Sequence, residues 1–571
     1  MGARTARALA LRLMPARALR LTLVRPLALT PALALSVALA LGGCGSGGAG
    51  GHARSIRQGA SVAAVGSALG GAPGGTPAPA AAPAARGGRG RPNIVFVLTD
   101  DLAWNLVRYM PHVLAMQRAG ETFSNYFVTD SLCCPSRASI LSGRFPHNTD
   151  VTSNSPPYGG YQVFHQRGEE LHTFATALRQ AGYSTAMMGK YLNGYQPHGG
   201  EGEAGPVSGG AGAVAGRVGA AGSEPPAAGV PPGWSEWDVA GNGYPEYGYT
   251  LNADGLPLDY GFRPQDYLTD VLAQRGLSFI DSAAARHTPF LLEIATFAPH
   301  SPFVPAPRDE ADFPGLTAPR TPAFDAATIG APAWLNRFTP LEPAQIEQID
   351  GQFRRRAQAV QAVDRMIAAI EARLAARGLA RNTYIVFSSD NGLHMGEHRL
   401  LAGKQTPYDT DIRVPLIVTG PGVPAARTVG AMTENIDLCP TFEQLARARV
   451  GANVDGHSLT ALLHGRPARN WRREVLVEHH GPDVGPTDPD LPTRGAGNPP
   501  SYEALRTASS LYVEYITGER EYYNLRTDPF ELHNLVVHLS PARLALLHGT
   551  LARMELCRGA RVCWRAQHGR T

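Results

Sequence analysis

The chain has 571 residues, with 52 basic and 48 acidic side chains and a formal net charge of +4. Ten arginines and no acidic residue precede Arg91, so the rest of the chain carries 42 basic and 48 acidic residues, a net charge of −6. The positive net charge of the whole chain therefore does not indicate a nucleic-acid partner. The length suits one large domain with a smaller one.

Residues 1–43 have the composition of a signal peptide. Six arginines and no acidic residue lead into the apolar run "LALTPALALSVALALGG", which is too short for a comfortable membrane span. The ending "LGGC" resembles a bacterial lipobox and makes Cys44 a candidate for a lipid anchor, with ordinary signal cleavage nearby as the alternative. We expect a bacterial protein that is exported, either extracellular or lipid-anchored at the cell surface.

Two low-complexity stretches divide the remaining chain. Residues 44–90 are almost wholly Gly, Ala, Pro, Ser and Arg, and they predict a disordered tether. Residues 198–232 have a similar composition and predict a flexible insertion. We therefore expect a catalytic domain over residues 91–470 and a C-terminal subdomain over residues 471–571.

From Pro92 onward, short apolar runs alternate with longer amphipathic stretches. The predicted elements are a strand at 93–98, a helix at 168–183, a strand at 184–188, a helix at 263–286, a strand at 289–297, one helix or two joined near Gly351 at 342–378, and a strand at 383–389. This alternation predicts an α/β fold with a mostly parallel central sheet flanked by helices. After Asn470, "EVLVEHHG", "SLYVEYI" and "REYYNL" predict a small antiparallel sheet.

Oxygen-bearing side chains follow the first and last of these strands. Asp100 and Asp101 come after the first strand, and Asp390 and Asn391 come after the last. Since ligands bind beyond the carboxyl ends of the strands in open α/β sheets, these groups predict a site for a hard divalent cation. Ca²⁺ is the first expectation for an exported protein and Mg²⁺ the second. The alternative is that these residues are only turn and N-cap residues.

Only two of the 52 basic residues are lysines, Lys190 and Lys404. Arginine serves wherever a surface charge suffices, whereas a compact ammonium that holds a phosphate or sulfate oxygen is not replaced so easily. Lys190 ends a predicted strand and Lys404 follows "SSDNGLHMGEHRL", so both are candidate site residues. Chance survival of two lysines is the alternative.

The stretch "SLCCPSRASILSGR", residues 131–144, places two cysteines side by side. Neighbouring cysteines are a poor disulfide pair. Pro135 and Gly143 predict the start and end of a helix, which puts Cys133 at a helix N-terminus that favours an anion, with Arg137 one turn further along. Cys134 is predicted to be a small packed side chain.

The other cysteines suggest structural roles. Cys557 and Cys563 lie six residues apart, which suits a small disulfide in an oxidising compartment. Cys439 is expected to be a buried core thiol.

The pattern Cys133-x-Pro135-Ser136-Arg137 followed by "ASILSGR" resembles the signature of the sulfatase family, in which this cysteine is oxidised to Cα-formylglycine. The likeness covers nearly all of residues 91–534, and "GKYLNGY", "PPGWSEW" and "APHSP" are most similar to the N-acetylglucosamine-6-sulfatase branch. It implies an alkaline-phosphatase-like fold, maturation by a formylglycine-generating enzyme, and a sulfated sugar such as N-acetylglucosamine 6-sulfate, or an aryl sulfate, as substrate.

The resemblance also implies roles for single residues. The implied Ca²⁺ ligands are Asp100, Asp101, Asp390, Asn391 and the formylglycine derived from Cys133. The residues implied to hold the sulfate and assist the chemistry are Arg137, Lys190, His300 and Lys404. One hydroxyl of the hydrated aldehyde would attack sulfur, and His300 or Lys404 would protonate the departing alcohol.

One position departs from the family pattern. Many sulfatases have a histidine where this chain has Leu192, so the base for releasing sulfate stays open. His147 and Asn193 are candidates for that task or for contact with the sugar, and His394 is a candidate for substrate contact. The alternative for His147 is a structural role at the exit of the helix, and the alternative for His394 is a solvated loop histidine.

Two other functions remain open from the sequence. The first is a phosphoesterase or phosphonate hydrolase of the same superfamily, although the cysteine in the signature argues against its common serine or threonine nucleophile. The second is an inactive glycan-binding protein, which the complete set of implied ligands argues against.

Overall fold

The computed structural model describes residues 90–197, 229–451, 453–467, 469–485, 488 and 490–568. The predicted signal peptide, all but the last residue of the predicted tether, and residues 198–228 of the predicted insertion lie outside the described residues. Among the described residues, no helix has the length and apolar character needed to cross a membrane.

Sixteen strands are present in the described part of the chain. In chain order they are β1 Asn93–Thr99, β2 Glu121–Phe123, β3 Tyr126–Phe127, β4 Ser184–Lys190, β5 Glu236–Ala240, β6 Thr250–Ala253, β7 Leu256–Asp259, β8 Phe290–Ala295, β9 Thr383–Ser389, β10 Leu416–Thr419, β11 Arg427–Val429, β12 Thr433–Glu434, β13 Glu474–His479, β14 Tyr502–Thr507, β15 Ser510–Tyr515 and β16 Arg520–Asn524.

The α-helices of the described residues vary in length from one turn to more than nine turns. They are α1 Trp104–Val107, α2 Pro111–Ala119, α3 Cys133–Ser142, α4 Pro146–Thr149, α5 Gly160–Gln166, α6 Phe174–Gln180, α7 Leu268–Ala285, α8 Ala333–Asn336, α9 Pro343–Ala376, α10 Asp409–Ile412, α11 Leu438–Leu445, α12 Thr460–Leu463, α13 Pro541–Glu555 and α14 Ala560–Ala566.

The central sheet has ten strands in the order β11-β2-β10-β9-β1-β8-β4-β5-β6-β7. Its middle strands β9, β1, β8, β4 and β5 are parallel, while β10 and the β6–β7 hairpin add antiparallel strands. Every residue of β1 is buried, because both faces of the sheet are covered. Successive side chains of β1 therefore enter two different cores: Val95 and Val97 pack with α7 and α9, and Ile94 and Phe96 with α3 and α11. The predicted fold class is confirmed.

The structure corrects the predicted helix at 168–183 and decides between the two alternatives at 342–378, where the single helix is confirmed. The stretch 168–183 is not one helix, because Thr173 interrupts it and its side chain accepts a hydrogen bond from the backbone N–H of Thr176 to cap α6. The long helix α9 continues through Gly351 without a break. The hairpin β6–β7 and strand β14 were not predicted.

A four-stranded antiparallel sheet, β13-β14-β15-β16, lies after residue 470. Cys557 and Cys563 form the expected disulfide. Arg472, which is fully buried, joins this C-terminal part to the central one by ion pairs with Glu434 and Asp437. Burying these charges is tolerable only because they are paired.

Replacing Arg472 with alanine should therefore lower the free energy of unfolding by about 3–5 kcal/mol, since it leaves Glu434 and Asp437 buried without their cation. Urea unfolding followed by circular dichroism measures this. The matched control is Arg473→Ala, at an exposed neighbour, with an expected change within about 0.5 kcal/mol. Equal effects of the two variants would contradict the role given to Arg472.

Candidate active site

Four neighbouring parallel strands deliver polar side chains to one edge of the central sheet. Asp100 follows β1, Lys190 ends β4, and Asp390 follows β9. His300 lies in the loop after β8 and is 4 % exposed. Because the strands are parallel neighbours, their carboxyl ends converge at this edge.

Helix α3 brings Cys133 to the same place. All ten residues of this helix are buried, and Gly143 ends it at φ 69°, a left-handed conformation that favours glycine. The Cys133 thiol donates to Asp100 Oδ1 at 3.2 Å, and Lys404 Nζ donates to Cys133 Sγ at 2.9 Å. The backbone N–H of Cys134 donates to the side chain of Asn154 at 2.9 Å.

Arg137 is held rigidly, yet one of its nitrogens is left free. Its Nε donates to Asp390 Oδ2 at 2.7 Å and its Nη1 donates to the carbonyl of Lys190 at 2.9 Å. The buried Nη2 has no hydrogen-bond partner among the described residues, and it lies 3.7 Å from Asp100 Oδ1. A buried guanidinium with a free N–H is a preformed donor for an oxyanion.

The two lysines of the chain meet at this site. Lys190 Nζ donates to Asp100 Oδ2 at 2.6 Å, and Lys404 Nζ donates to Asp101 Oδ1 at 2.8 Å. Burial lowers the pKa of each lysine, but the adjacent carboxylates outweigh it and hold both pKa values well above the ordinary value. Both ammonium groups are therefore charged.

A divalent cation fits the carboxylates of this cluster. Ligand atoms of Asp100, Asp101, Cys133 and His300 lie within 4.8 Å of one another. Asn391 Nδ2 donates to Asp101 Oδ1 at 2.6 Å, and the buried Asn391 Oδ1 has no hydrogen-bond partner in the described part of the chain. Such an orphaned oxygen beside carboxylates matches the donors that Ca²⁺ and Mg²⁺ prefer.

The backbone around Asp101 is shaped for this cluster. Asp101 has φ +61°, a conformation that non-glycine residues seldom adopt. Its N–H donates to Asp390 Oδ1 at 3.1 Å, and its carbonyl accepts a hydrogen bond from the buried guanidinium of Arg356. Burial lowers the pKa of Arg356 to about 10, which leaves it charged at neutral pH.

The thiol of Cys133 is a poor nucleophile in these surroundings. Burial, and next the charges of Asp100 and Asp390, raise the pKa of Cys133 well above the ordinary value. The thiolate is the reactive form of cysteine, and it is suppressed here.

Each ring nitrogen of His300 lies within hydrogen-bond distance of an oxygen acceptor. Nδ1 lies 2.7 Å from the Ser301 carbonyl, and Nε2 lies 2.5 Å from Asp490 Oδ1. Since neither oxygen has a hydrogen to donate, both nitrogens must carry one. Burial lowers the pKa of His300, but Asp101, Asp100 and Asp490 outweigh it and raise the pKa. The two contacts and the raised pKa favour the imidazolium form of His300, which can donate a proton.

The three residues predicted to contact substrate lie in different places. Asn193 is at the site, where its Nδ2 contacts Tyr244 Oη at 3.4 Å. His147 Nδ1 lies 2.7 Å from Glu478 Oε1, and its Nε2 donates to the carbonyl of Cys557 at 2.9 Å; both partners belong to the C-terminal part of the fold. These contacts favour its structural alternative.

His394 is 1 % exposed, and it is not among the residues that line the cavity beside the cluster. It pairs with Asp411 at 2.9 Å and with the carbonyl of Ala496 at 2.9 Å. Its backbone bonds in both directions with Gly403, next to Lys404. His394 thus positions the segment that carries Lys404.

Sequence reasoning missed Asp490, Arg356 and Tyr244. Tyr244 packs its ring 4.9 Å from Lys190 Nζ and 4.6 Å from the ring of His300. None of the three follows a predicted strand of the sheet, which was the signal that found the other residues. A cavity of about 130 Å³ opens beside the cluster and is lined by Asp101, His300, Lys404, Asp490, Gln348, Gln352, Ser301 and Thr493, among others.

Comparison with known proteins identifies the family of this chain. The sulfatase family model matches residues 92–448, and a second model, for the C-terminal region of N-sulphoglucosamine sulphohydrolase, matches residues 396–554. The chain belongs to the sulfatase family. Human N-acetylglucosamine-6-sulfatase is 35 % identical over 499 residues, which cover 83 % of this chain and 86 % of that protein. This sulfatase is accordingly a sulfuric ester hydrolase.

Solved structures agree on the fold. A protein in complex with its substrate, D-glucosamine-2-N,6-O-disulfate, is similar with a TM-score of 0.65 and 22 % identity, covering 82 % of this chain and 97 % of the other. A phosphonate monoester hydrolase from Silicibacter pomeroyi has a TM-score of 0.59 and 23 % identity, with coverage of 81 % and 94 %. At these identities the likeness concerns the fold alone.

Added Ca²⁺ should stabilise this sulfatase, by about 2.7 kcal/mol at a free concentration 100 times the Kd. Asn391→Ala should lose most of that gain, because it removes the unpartnered oxygen. Thermal unfolding with Ca²⁺ and with chelator measures both. Asn125→Ala, in a turn away from the cluster, is the matched control and should keep the gain. Equal gains in both variants would contradict a metal-binding role for Asn391.

Proposed function

We propose that this sulfatase removes the sulfate group from a 6-O-sulfated amino sugar, with Ca²⁺ and a formylglycine derived from Cys133. The observation that supports this most is the position of Cys133 Sγ, in contact with both Asp100 and Lys404 at the start of a buried helix. The substrate class rests on the identity to human N-acetylglucosamine-6-sulfatase over most of both chains.

The residues proposed to hold the cation are Asp100, Asp101, Asp390 and Asn391. When bound, Ca²⁺ would neutralise charge on the sulfate oxygens. Formylglycine would supply, in its hydrated form, the nucleophilic hydroxyl that the suppressed thiol of Cys133 cannot. Everything else in the proposal is performed by side chains of this chain.

The sulfate group would be bound by three cations. Arg137 contributes the free N–H at Nη2, while Lys190 and Lys404 contribute ammonium groups that are charged and buried. In a dry site these fixed charges stabilise the growing negative charge of the transition state far more than they would in water.

His300 is the proposed general acid. As an imidazolium at the cavity wall, it carries a proton on Nε2 and can transfer it to the departing alcohol oxygen. Lys404 is the weaker candidate, because its high pKa makes it reluctant to release a proton. Leu192 is buried in the apolar core and supplies no base.

A phosphonate or phosphate ester hydrolase is the second candidate function, since a phosphonate monoester hydrolase shares this fold. Both activities require a pocket that binds a tetrahedral anion, so only a measured substrate preference can distinguish them. Comparing sulfate, phosphate and phosphonate esters of one phenol decides between them. We expect the sulfate ester to have the highest kcat/KM.

Export from the cell is part of the proposal, on the composition of residues 1–43. The lipid anchor at Cys44 and the bacterial origin receive no support from the relatives described above and stay predictions. The same holds for maturation by a formylglycine-generating enzyme.

Cys133→Ala should abolish turnover of a nitrophenyl sulfate, because the precursor of the nucleophile is gone. Peptide mass spectrometry of the active wild type should find an aldehyde in place of the thiol at residue 133. Cys134→Ala is the matched control, since this side chain is buried packing, and its activity should stay within about threefold. An unmodified thiol in fully active protein would refute the proposed nucleophile.

His300→Gln should slow the hydrolysis of an alkyl sulfate by about 10²–10⁴-fold, the usual contribution of a general acid. It should slow a nitrophenyl sulfate much less, since nitrophenolate leaves without a proton. His165→Gln, at a surface histidine paired with Glu170, should change neither rate. An equal loss with both leaving groups would remove His300 from the acid role.

A further inference from the structure

Asp490 occupies the cationic side of the active site although it belongs to no element of the central sheet. Its Oδ1 lies 2.5 Å from His300 Nε2 and 2.8 Å from Lys404 Nζ. Its side chain is 1 % exposed. A carboxylate thus contacts two of the groups that the proposed function assigns to the sulfate ester.

The carboxylate is held in this position by further contacts. Its Oδ2 accepts hydrogen bonds from Asn154 Nδ2 at 2.7 Å and from Asn193 Nδ2 at 3.3 Å. The backbone N–H of Asp490 donates to Asp488 Oδ1 at 2.9 Å. Each oxygen of the carboxylate is therefore satisfied, and Asn154 also accepts from the backbone N–H of Cys134.

Asp490 occupies a hydrogen of each of the two donors that it contacts, His300 Nε2 and Lys404 Nζ. His300 Nε2 carries one hydrogen, which points to Asp490. Lys404 Nζ carries three, and its partners at 2.8–2.9 Å are Asp101 Oδ1, Asp490 Oδ1 and, before the proposed conversion to formylglycine, Cys133 Sγ. A sulfate oxygen can bond to His300 Nε2 only by replacing Asp490, and at Lys404 it competes with the same carboxylate.

Of these partners, Asp490 is the one that stands outside both the proposed cation ligands and helix α3. It is also an anion, so it and a sulfate group repel each other when both lie beside the same donors. Replacing it frees a hydrogen on both cations at once.

We propose that the carboxylate of Asp490 competes with the sulfate group for Lys404 and His300, and thereby sets the affinity of the site for a tetrahedral oxyanion. The inference rests on the proposed function in so far as the oxyanion is the sulfate of substrate and product. By this competition Asp490 weakens the hold on product sulfate, since the carboxylate takes back both donors as sulfate leaves.

The test is the affinity for inorganic sulfate, measured by isothermal titration calorimetry on the calcium-loaded protein. Asp490→Asn keeps an oxygen acceptor of the same shape but removes the charge, so sulfate should bind about tenfold more tightly. Asp490→Ser removes the carboxylate altogether and should shift the affinity in the same direction. Unchanged or weaker sulfate binding in both variants would overturn the proposal.

Asp488→Asn is the matched control. Asp488 bonds Asn154 Nδ2 at 3.2 Å and the backbone of Asp490, and the variant keeps an oxygen for both contacts. Its sulfate affinity should stay within about twofold. A tenfold gain there as well would mean that general negative charge, and not the contacts of Asp490, sets the affinity.

Measurements of turnover distinguish a failure of this proposal from a failure of the proposed function. With an active sulfatase, Asp490→Asn should lower both KM and the inhibition constant of sulfate. A fall in kcat with unchanged KM would instead give Asp490 a role in the chemistry and overturn the competition. If the wild type turns over no sulfate ester while Asp490→Asn still binds sulfate more tightly, the proposed function fails and the competition stands.

Discussion

The active site depends on the mutual neutralisation of buried charges at one edge of the central sheet. Asp100, Asp101 and Asp390 are each 2 % exposed or less, at the ends of two adjacent strands. Bringing carboxylates together without water is costly unless cations are placed among them. Arg137, from α3, and the two lysines supply that charge, so the helix, the sheet edge and the loop of Lys404 constrain one another.

Within this network the two strand ends have different electrostatic roles. Burial raises the pKa of Asp390, but the charges of Arg137, Lys190 and Lys404 together outweigh it and bring the pKa to about 2, so Asp390 is ionised. For Asp100, burial and the charge of Asp390 raise the pKa despite Lys190 and Arg137 nearby. An added divalent cation would favour the ionised form of Asp100.

Much of this was accessible from the sequence, because the fold follows simple rules. The runs "NIVFVL" and "TYIVFSS" are buried on both faces, and parallel strands bring the groups that follow them to one edge. Lys190 and Lys404 stood out because they are the only lysines of the chain. The direction of a side chain was not accessible in this way. His147 and His394 lie near informative motifs in the sequence, yet their rings turn toward Glu478 and Asp411.

Asp490 marks the limit of such reasoning, since nothing in "TDPD" distinguishes it from an ordinary acidic loop. Its importance comes from a contact across 86 residues of chain, with Lys404. The sheet edge, helix α3 and the loop of Lys404 supply the cations proposed to bind the oxyanion, and a strong hold on the product would slow each turnover. A carboxylate from outside the sheet moderates that hold without altering the cations that the transition state needs. The proposed catalytic charges and the counter-charge proposed to limit product retention thus come from different parts of the fold.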